Sequence, residues 1–127
     1  LPMLQTDLAE IFISCCENKL SEIQVKWNNK KSLCVVLCSN GYPDRFDKYV
    51  EIENLDKIKL GPDDFIFHAG TDKKNSKVFA IGGRVLNFVS LSEEFADAKK
   101  NIIKHLKNLN WSKGFFRKDI GYKVIDK

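Results

Sequence analysis

Two glycine-bearing corners, Phe67-His68-Ala69-Gly70-Thr71 and Ile81-Gly82-Gly83-Arg84-Val85-Leu86, do most to limit how this chain can fold. Each follows an apolar run of strand character, and each carries a polar side chain at its turn. Glycine at a strand end admits a second backbone or a ligand, because no side chain stands in the way. Two readings are open from the residues alone. The glycines relieve turn strain in a hairpin, or they floor a pocket in which Arg84 seats an anion such as phosphate.

The surrounding residues set the context. Leu33-Cys34-Val35-Val36-Leu37, closed by Ser39-Asn40-Gly41-Tyr42-Pro43-Asp44, reads as a strand and its turn. Tyr49 to Ile52 reads as a second strand, and Pro62-Asp63-Asp64 turns the chain into Phe65-Ile66-Phe67-His68. A hairpin is expected across Asp72-Lys73-Lys74-Asn75, returning through Val78-Phe79-Ala80-Ile81, with Val85 to Leu91 continuing as strand. Ser92 is then expected to cap a helix. Phe95, Ala98, Ile102, Leu106 and Leu109 would form its buried stripe, and Lys99, Lys100, Lys104 and Lys107 its solvated face. Glu93 and Glu94 at its start and lysines towards its end suit the helix dipole. Phe115 to Tyr122 is expected to close the chain as a strand.

Ahead of the strands, Leu8, Ile11, Phe12 and Cys15 fall at i, i+3, i+4 and i+7 behind Thr6 as N-cap. The pattern dissolves near Asn18-Lys19, and Asn28-Asn29-Lys30-Lys31 reads as a connector where a structural boundary is placed. The expected class is α+β, mostly β: a leading helix, about six short strands and one covering helix. Closely spaced turns favour a small barrel or sandwich over a doubly wound parallel sheet.

At 127 residues, 43 % apolar and 30 % charged, the chain can bury a core as one domain, or as one small domain with a piece of another. No apolar run approaches the ~20 residues that span a bilayer, and no leader pattern is found, so a cytoplasmic protein without membrane partners is expected. The net charge of +4 is spread among acidic residues, which argues against a nucleic-acid partner. The four cysteines Cys15, Cys16, Cys34 and Cys38 form no C-x-x-C pair and lie far from both histidines, so no metal site is expected. Cys34 and Cys38 share one face of a strand and are read as reduced, buried thiols. Trp27 and Trp111 are read as anchors in the core or at a domain interface.

Leu1-Pro2-Met3-Leu4, Thr6-Asp7-Leu8, Val35-Val36-Leu37, Gly41-Tyr42-Pro43, the two glycine corners and Arg117-Lys118-Asp119-Ile120-Gly121 occur in one order. Together they resemble the C-terminal part of the phosphoribosylamine–glycine ligases (glycinamide ribonucleotide synthetases), which belong to the ATP-grasp superfamily. The likeness covers nearly the whole chain. It implies an ATP-dependent carbon–nitrogen ligase of purine biosynthesis that joins glycine to phosphoribosylamine through a glycyl phosphate. It further implies that ATP and Mg or Mn are bound mainly by residues upstream of Leu1, so that this piece alone is inactive. Residues 1–30 would be the tail of the ATP-grasp domain. Residues 31–127 would be a C-terminal β-domain of barrel-sandwich, rudimentary hybrid type, packed on the upstream domains. The family usually continues Gly-Arg-Val-Leu with Gly, where this chain has Asn87. Either close approach to substrate is altered there, or Asn eases a bulge in its place.

On this resemblance Arg84 would hold the ribose phosphate, since a guanidinium matches phosphate with forked, permanent charge. The plain alternative is a surface arginine paired with a carboxylate such as Asp119. His68, Gly70 and Thr71 would line the same pocket, against the alternative of His68 as a packed core histidine. Arg117 and Asp119 would support the corner, or would form an ordinary ion pair. None of these residues reads as an acid–base catalyst. A competing class is a biotinyl or lipoyl-like carrier or interaction β-domain, which presents a modified lysine at a hairpin tip. Lys73-Lys74 would be that site.

Overall fold

The computed structural model describes residues 1–125. In chain order it has α1 (Leu8–Cys16), β1 (Lys31–Ser39), β2 (Val50–Glu51), β3 (Asp64–His68), β4 (Thr71–Lys74), β5 (Lys77–Ala80), β6 (Arg84–Ser92), α2 (Phe95–Leu109), β7 (Gly114–Phe115) and α3 (Tyr122–Ile125). All strand pairs are antiparallel. They form one sheet in the order β3-β6-β1-β7 and another in the order β2-β5-β4.

Alternation along the two central strands builds the core. Leu33, Val35 and Leu37 of β1 stand opposite Ser90, Phe88 and Leu86 of β6 and point to one face. That face is covered by α2, which buries Ala98, Ile102, Leu106 and Leu109, so strand period and helix period meet in a single apolar cluster. Asn110, in the left-handed region at φ 48°, ends α2. Trp111 then anchors the chain across the two sheets, its Nε1 donating to the Glu51 carbonyl at 2.9 Å.

The two sheets share one bent hairpin. Chain 64–74 runs out and chain 77–92 returns, with β3 on β6 and β4 on β5. Between Thr71↔Ala80 and His68↔Leu86 the return side has more residues than the outgoing side. The hairpin therefore swings from one sheet into the other at this point, a corner of the kind that joins two packed sheets. Asn75 and Ser76, at φ 49° and 64°, make the tip.

Several expectations are corrected here. The β3 strand pairs with β6 and not with Val78–Ile81, because the corner inserts a sheet change between them. Lys73 and Lys74 belong to β4, not to the hairpin tip, which removes the geometric basis of the carrier alternative. Ser92 ends β6 instead of capping a helix, and α2 begins behind Glu94, whose side chain makes no capping bond. The closing strand is only Gly114–Phe115, and α3 occupies part of the expected run.

The leading helix departs furthest from expectation. Asp7, not Thr6, caps α1, its Oδ1 accepting from the Ala9 amide at 2.7 Å. The Thr6 hydroxyl instead accepts from the Lys26 amide at 2.7 Å, and Leu4 bridges to Trp27, closing residues 4–27 into a loop. Nothing in α1 is buried, and Phe12, Ile13 and Trp27 are more than half exposed. Trp27 thus anchors nothing among the described residues, whereas Trp111 does. The ion pair Lys30 Nζ–Asp63 at 2.6 Å ties the end of this arm to the body.

Candidate functional site at the glycine corner

Steric need explains the first two glycines of the corner. A β-carbon added at Gly70 would stand 2.6 Å from the Arg84 carbonyl oxygen and 2.7 Å from Gly82 Cα. Gly82 is constrained reciprocally, with Gly70 Cα 2.9 Å from where its β-carbon would be. The space beside Gly83 is filled by the Tyr42 ring. All three glycines thus admit parts of this chain, the first of the two readings of a close approach.

Backbone bonds lock the crossing. Gly70 N–H donates to Arg84 O at 2.9 Å, Ala69 N–H to Val85 O at 3.0 Å, and Thr71 N–H to Ala69 O at 2.9 Å. Ile81 and Gly82 both donate to Gly70 O, at 2.8 and 3.1 Å. The amides of Gly70 and Thr71, expected to line a pocket, are therefore already engaged. The Thr71 hydroxyl is held by His68, whose Nδ1 lies 2.9 Å from Oγ1. His68 is exposed, which excludes the core-histidine alternative.

Arg84 leaves this corner as an exposed side chain. No carboxylate among the described residues pairs with it. Its backbone stands opposite Cys38, past a bulge in which Val85 is the extra residue on β6. Burial pushes the Cys38 thiol above its ordinary value, against a smaller downward pull from the Arg84 charge. Asp119, the carboxylate weighed as a partner for Arg84, is bound to Arg117 instead. The contact is bidentate, Nε–Oδ1 at 3.1 Å and Nη2–Oδ2 at 2.6 Å, and its hydrogen bonds hold the Asp119 carboxyl below the usual range. Both side chains are exposed, which makes this the ordinary surface pair. The fold therefore gathers Arg84, Gly70, Thr71 and His68 at one corner, while Arg117 and Asp119 make no bond to it.

Cys34 is exposed and Cys38 only half-buried, so the expectation of buried thiols fails although all four are free. Among the described residues no cluster of three or more His, Cys, Asp or Glu side chains is arranged to hold a metal ion. No helix among the described residues is long and apolar enough to cross a membrane.

A buried polar network escaped the sequence reading. Asp64 on β3 accepts from Ser90 Oγ at 2.6 Å and lies 3.0 Å from His105 Nε2, while the Gly61 amide donates to it at 3.3 Å. Burial alone would raise the Asp64 carboxyl. The hydrogen bonds from Ser90, His105 and Gly61 outweigh it and hold the group below the usual carboxylate value. His105 Nδ1 is buried without a partner, which fits the tautomer with the proton on Nε2, directed at Asp64. The signal was present: His105 lies three residues after Ile102, on the buried stripe of α2.

Comparison with known proteins identifies the family and the fold. Residues 32–123 match the family described as phosphoribosylglycinamide synthetase, C domain. The chain is 42 % identical to a bifunctional purine biosynthetic protein of Dictyostelium discoideum, over 99 % of this chain and 16 % of that protein. It is 35 % identical to a phosphoribosylamine–glycine ligase of Caldanaerobacter subterraneus, over 94 % of this chain and 28 % of the relative. The crystal structure of the phosphoribosylamine–glycine ligase from Thermotoga maritima superposes with a TM-score of 0.65 at 26 % identity, over 90 % of this chain and 28 % of that one. The chain thus spans less than a third of each of these proteins. With most of its length inside that family's pattern, and its mixed α/β fold matched in a solved relative, the chain belongs to the phosphoribosylglycinamide synthetase C-domain family.

Proposed function

We propose that this chain is the C-terminal part of an ATP-dependent ligase that joins glycine to 5-phospho-D-ribosylamine, giving glycinamide ribonucleotide, ADP and phosphate in purine biosynthesis. Family membership supports the reaction class. The observation that carries a role for this part is Arg84, an exposed guanidinium on a glycine-locked corner, with no carboxylate partner among the described residues. It would bind the ribose phosphate, with His68 and Thr71 lining the same site through their side chains. Arg117 and Asp119, bonded to each other, would support the corner from a distance.

The rest of the machinery belongs elsewhere on this reading. Acyl phosphate formation depends on positioning and on cationic stabilisation of phosphoryl charge. No group of three or more His, Cys, Asp or Glu among the described residues is arranged for a divalent cation, and the corner glycines are filled by the chain itself, so on this reading ATP and its Mg or Mn fall mainly to upstream residues. Upstream domains of an ATP-grasp enzyme would hold both, in the cytoplasm, and the 127-residue piece would not turn over.

The domain reading is that residues 1–30 form the tail of the ATP-grasp domain and 31–127 a β-domain of barrel-sandwich type. Two observations support it. The family match starts at residue 32, while similarity to whole ligases covers nearly the full chain. A nine-residue helix as apolar as α1, with nothing buried, is also built for burial against another body.

The test uses the chain joined to its upstream domains. Arg84→Lys should raise the KM for phosphoribosylamine about tenfold, the loss of one charged hydrogen bond, and leave the KM for ATP unchanged. Equal loss for both substrates would overturn the role of Arg84.

A further inference from the structure

The outer side of α2 concentrates the charge of the chain. Lys100, Lys104 and Lys107 lie three, four and seven residues apart, with Lys99 beside Lys100, so the helix turns all four away from the stripe that covers the sheet. Among the described residues none of the four meets a carboxylate within ion-pair distance. Lys99 is near enough to Asp119 only to help lower its carboxyl. The chain has 21 basic and 17 acidic side chains, and setting these four aside leaves 17 of each. The whole excess of positive charge therefore equals this one face. A solvated helix face normally mixes the two signs, because lysines four apart repel each other. The one acid of α2, Asp97, does not line the cleft of about 590 Å³ that opens between the lysines over Ala96 and Ile103.

We propose that this face docks an acidic amphipathic helix of a separate protein, its carboxylates against the lysines and its apolar line along Ala96 and Ile103. Those two residues are seven apart, with Lys99 on one flank and Lys100 and Lys104 on the other. That is the layout of a seam between two helices, in which the flanking charges select the partner. A lysine ammonium meets a carboxylate as a compact point charge. The lining carries no arginine fork and no aromatic ring, the features that hold the phosphates and bases of RNA. It also lacks large free apolar side chains to sink into lipid, since Ile103 is packed against the core. A second copy of the same face would set lysine against lysine. No residue of the cleft belongs to the glycine corner, and Arg84 emerges opposite Cys38, whose neighbour Leu37 points to the face that α2 covers. A docked partner thus leaves the corner open, and the inference stands apart from the ligase reading.

The test uses the chain joined to its upstream domains, at a low salt of about 50 mM so that charge is little screened. The probe is a fluorescent synthetic helix of about three heptads, with leucines along one line and glutamates on its flanks. A scrambled peptide of the same composition, a single-stranded RNA of similar length and vesicles containing phosphatidylserine are compared with it. Fluorescence anisotropy should show the helix binding at least about tenfold tighter than its scrambled copy. The paired change Lys100→Glu and Lys104→Glu should weaken the helix about tenfold or more and transfer binding to a helix with lysines in place of its glutamates. The KM values of the ligase should stay as they are in the same variant. Equal binding of the helix and its scrambled copy, or an affinity that the paired change leaves intact, overturns the docking face. Tighter binding of the RNA or the vesicles, lost in the same variant, also overturns it.

Discussion

Gly70 and Gly82 cross with their backbones in direct contact, the Gly82 amide donating to the Gly70 carbonyl at 3.1 Å and neither residue leaving room for a β-carbon. This crossing lets one hairpin serve two sheets, and it sets where Arg84 emerges. The corner is built from the backbone outward. Its exposed side chains, Arg84 and the His68–Thr71 pair, are carried on a frame that other residues cannot easily replace.

Gly70→Ala should therefore lower stability by about 1–3 kcal/mol, the usual cost of forcing an extra methyl into a filled space. Gly82→Ala should behave alike. Urea denaturation monitored through Trp111 fluorescence measures both. A midpoint equal to that of the parent would show that the crossing yields.

Asp64 gives the domain an acid limb. Its folded carboxyl sits below its ordinary value, so the unfolded chain binds a proton more readily than the folded one. The stabilisation is complete above about pH 4 and is lost as pH falls through the lower folded value. Asp64→Asn should flatten this limb and cost about 1–3 kcal/mol at neutral pH, since it disturbs three hydrogen bonds. Denaturation midpoints across pH 2–7 for both proteins test it, and parallel curves would contradict the assignment.

Phe88 stands between Val35 and Ile66 in the pairing of three strands and is only 1 % exposed. Phe88→Ala should cost about 3–5 kcal/mol through lost burial and the cavity left behind. In a domain this small the near-ultraviolet circular dichroism should largely disappear at 37 °C.

Arg117 and Asp119 should matter little to stability despite their bidentate geometry, because both are solvated. Arg117→Ala is expected to leave the thermal midpoint unmoved. A clear drop in calorimetry would point to a partner that the pair holds in place.

The parts of this fold most legible in the sequence are those where one period governs many residues. The run from Leu33 to Leu37 and the stripe from Ala98 to Leu109 each declared their element and buried face. Pairing was harder. The hairpin expectation joined Phe65–His68 to Val78–Ile81 because neighbours in sequence usually pair, and a change of sheet at Gly70 leaves no mark in hydrophobic pattern. The run from Phe115 to Tyr122 has strand-like residues, yet only Gly114 and Phe115 find a partner on β1. On α1 the spacing predicted a helix correctly and its burial wrongly, since burial depends on what lies opposite. At the site, Gly70 and Thr71, thirteen residues before Gly83 and Arg84, did mark the corner that holds Arg84. The Arg117–Asp119 pair stood among the alternatives from the sequence, since the two lie only two residues apart, but the choice between it and an Arg84–Asp119 pair needed the fold. His105 was passed over because a titratable residue on an apolar stripe shows no partner until β3 is placed beneath it.

The bond between His105 and Asp64 joins residues 41 positions apart, and Ser90 reaches the same carboxylate from a third element. It can close only after the helix has docked on a sheet whose strands are already in register, since loop closure precedes the reward of distant contacts. The network is therefore a mark of complete assembly: the ionised carboxylate under the helix has all its donors only when β3, β6 and α2 are in place together.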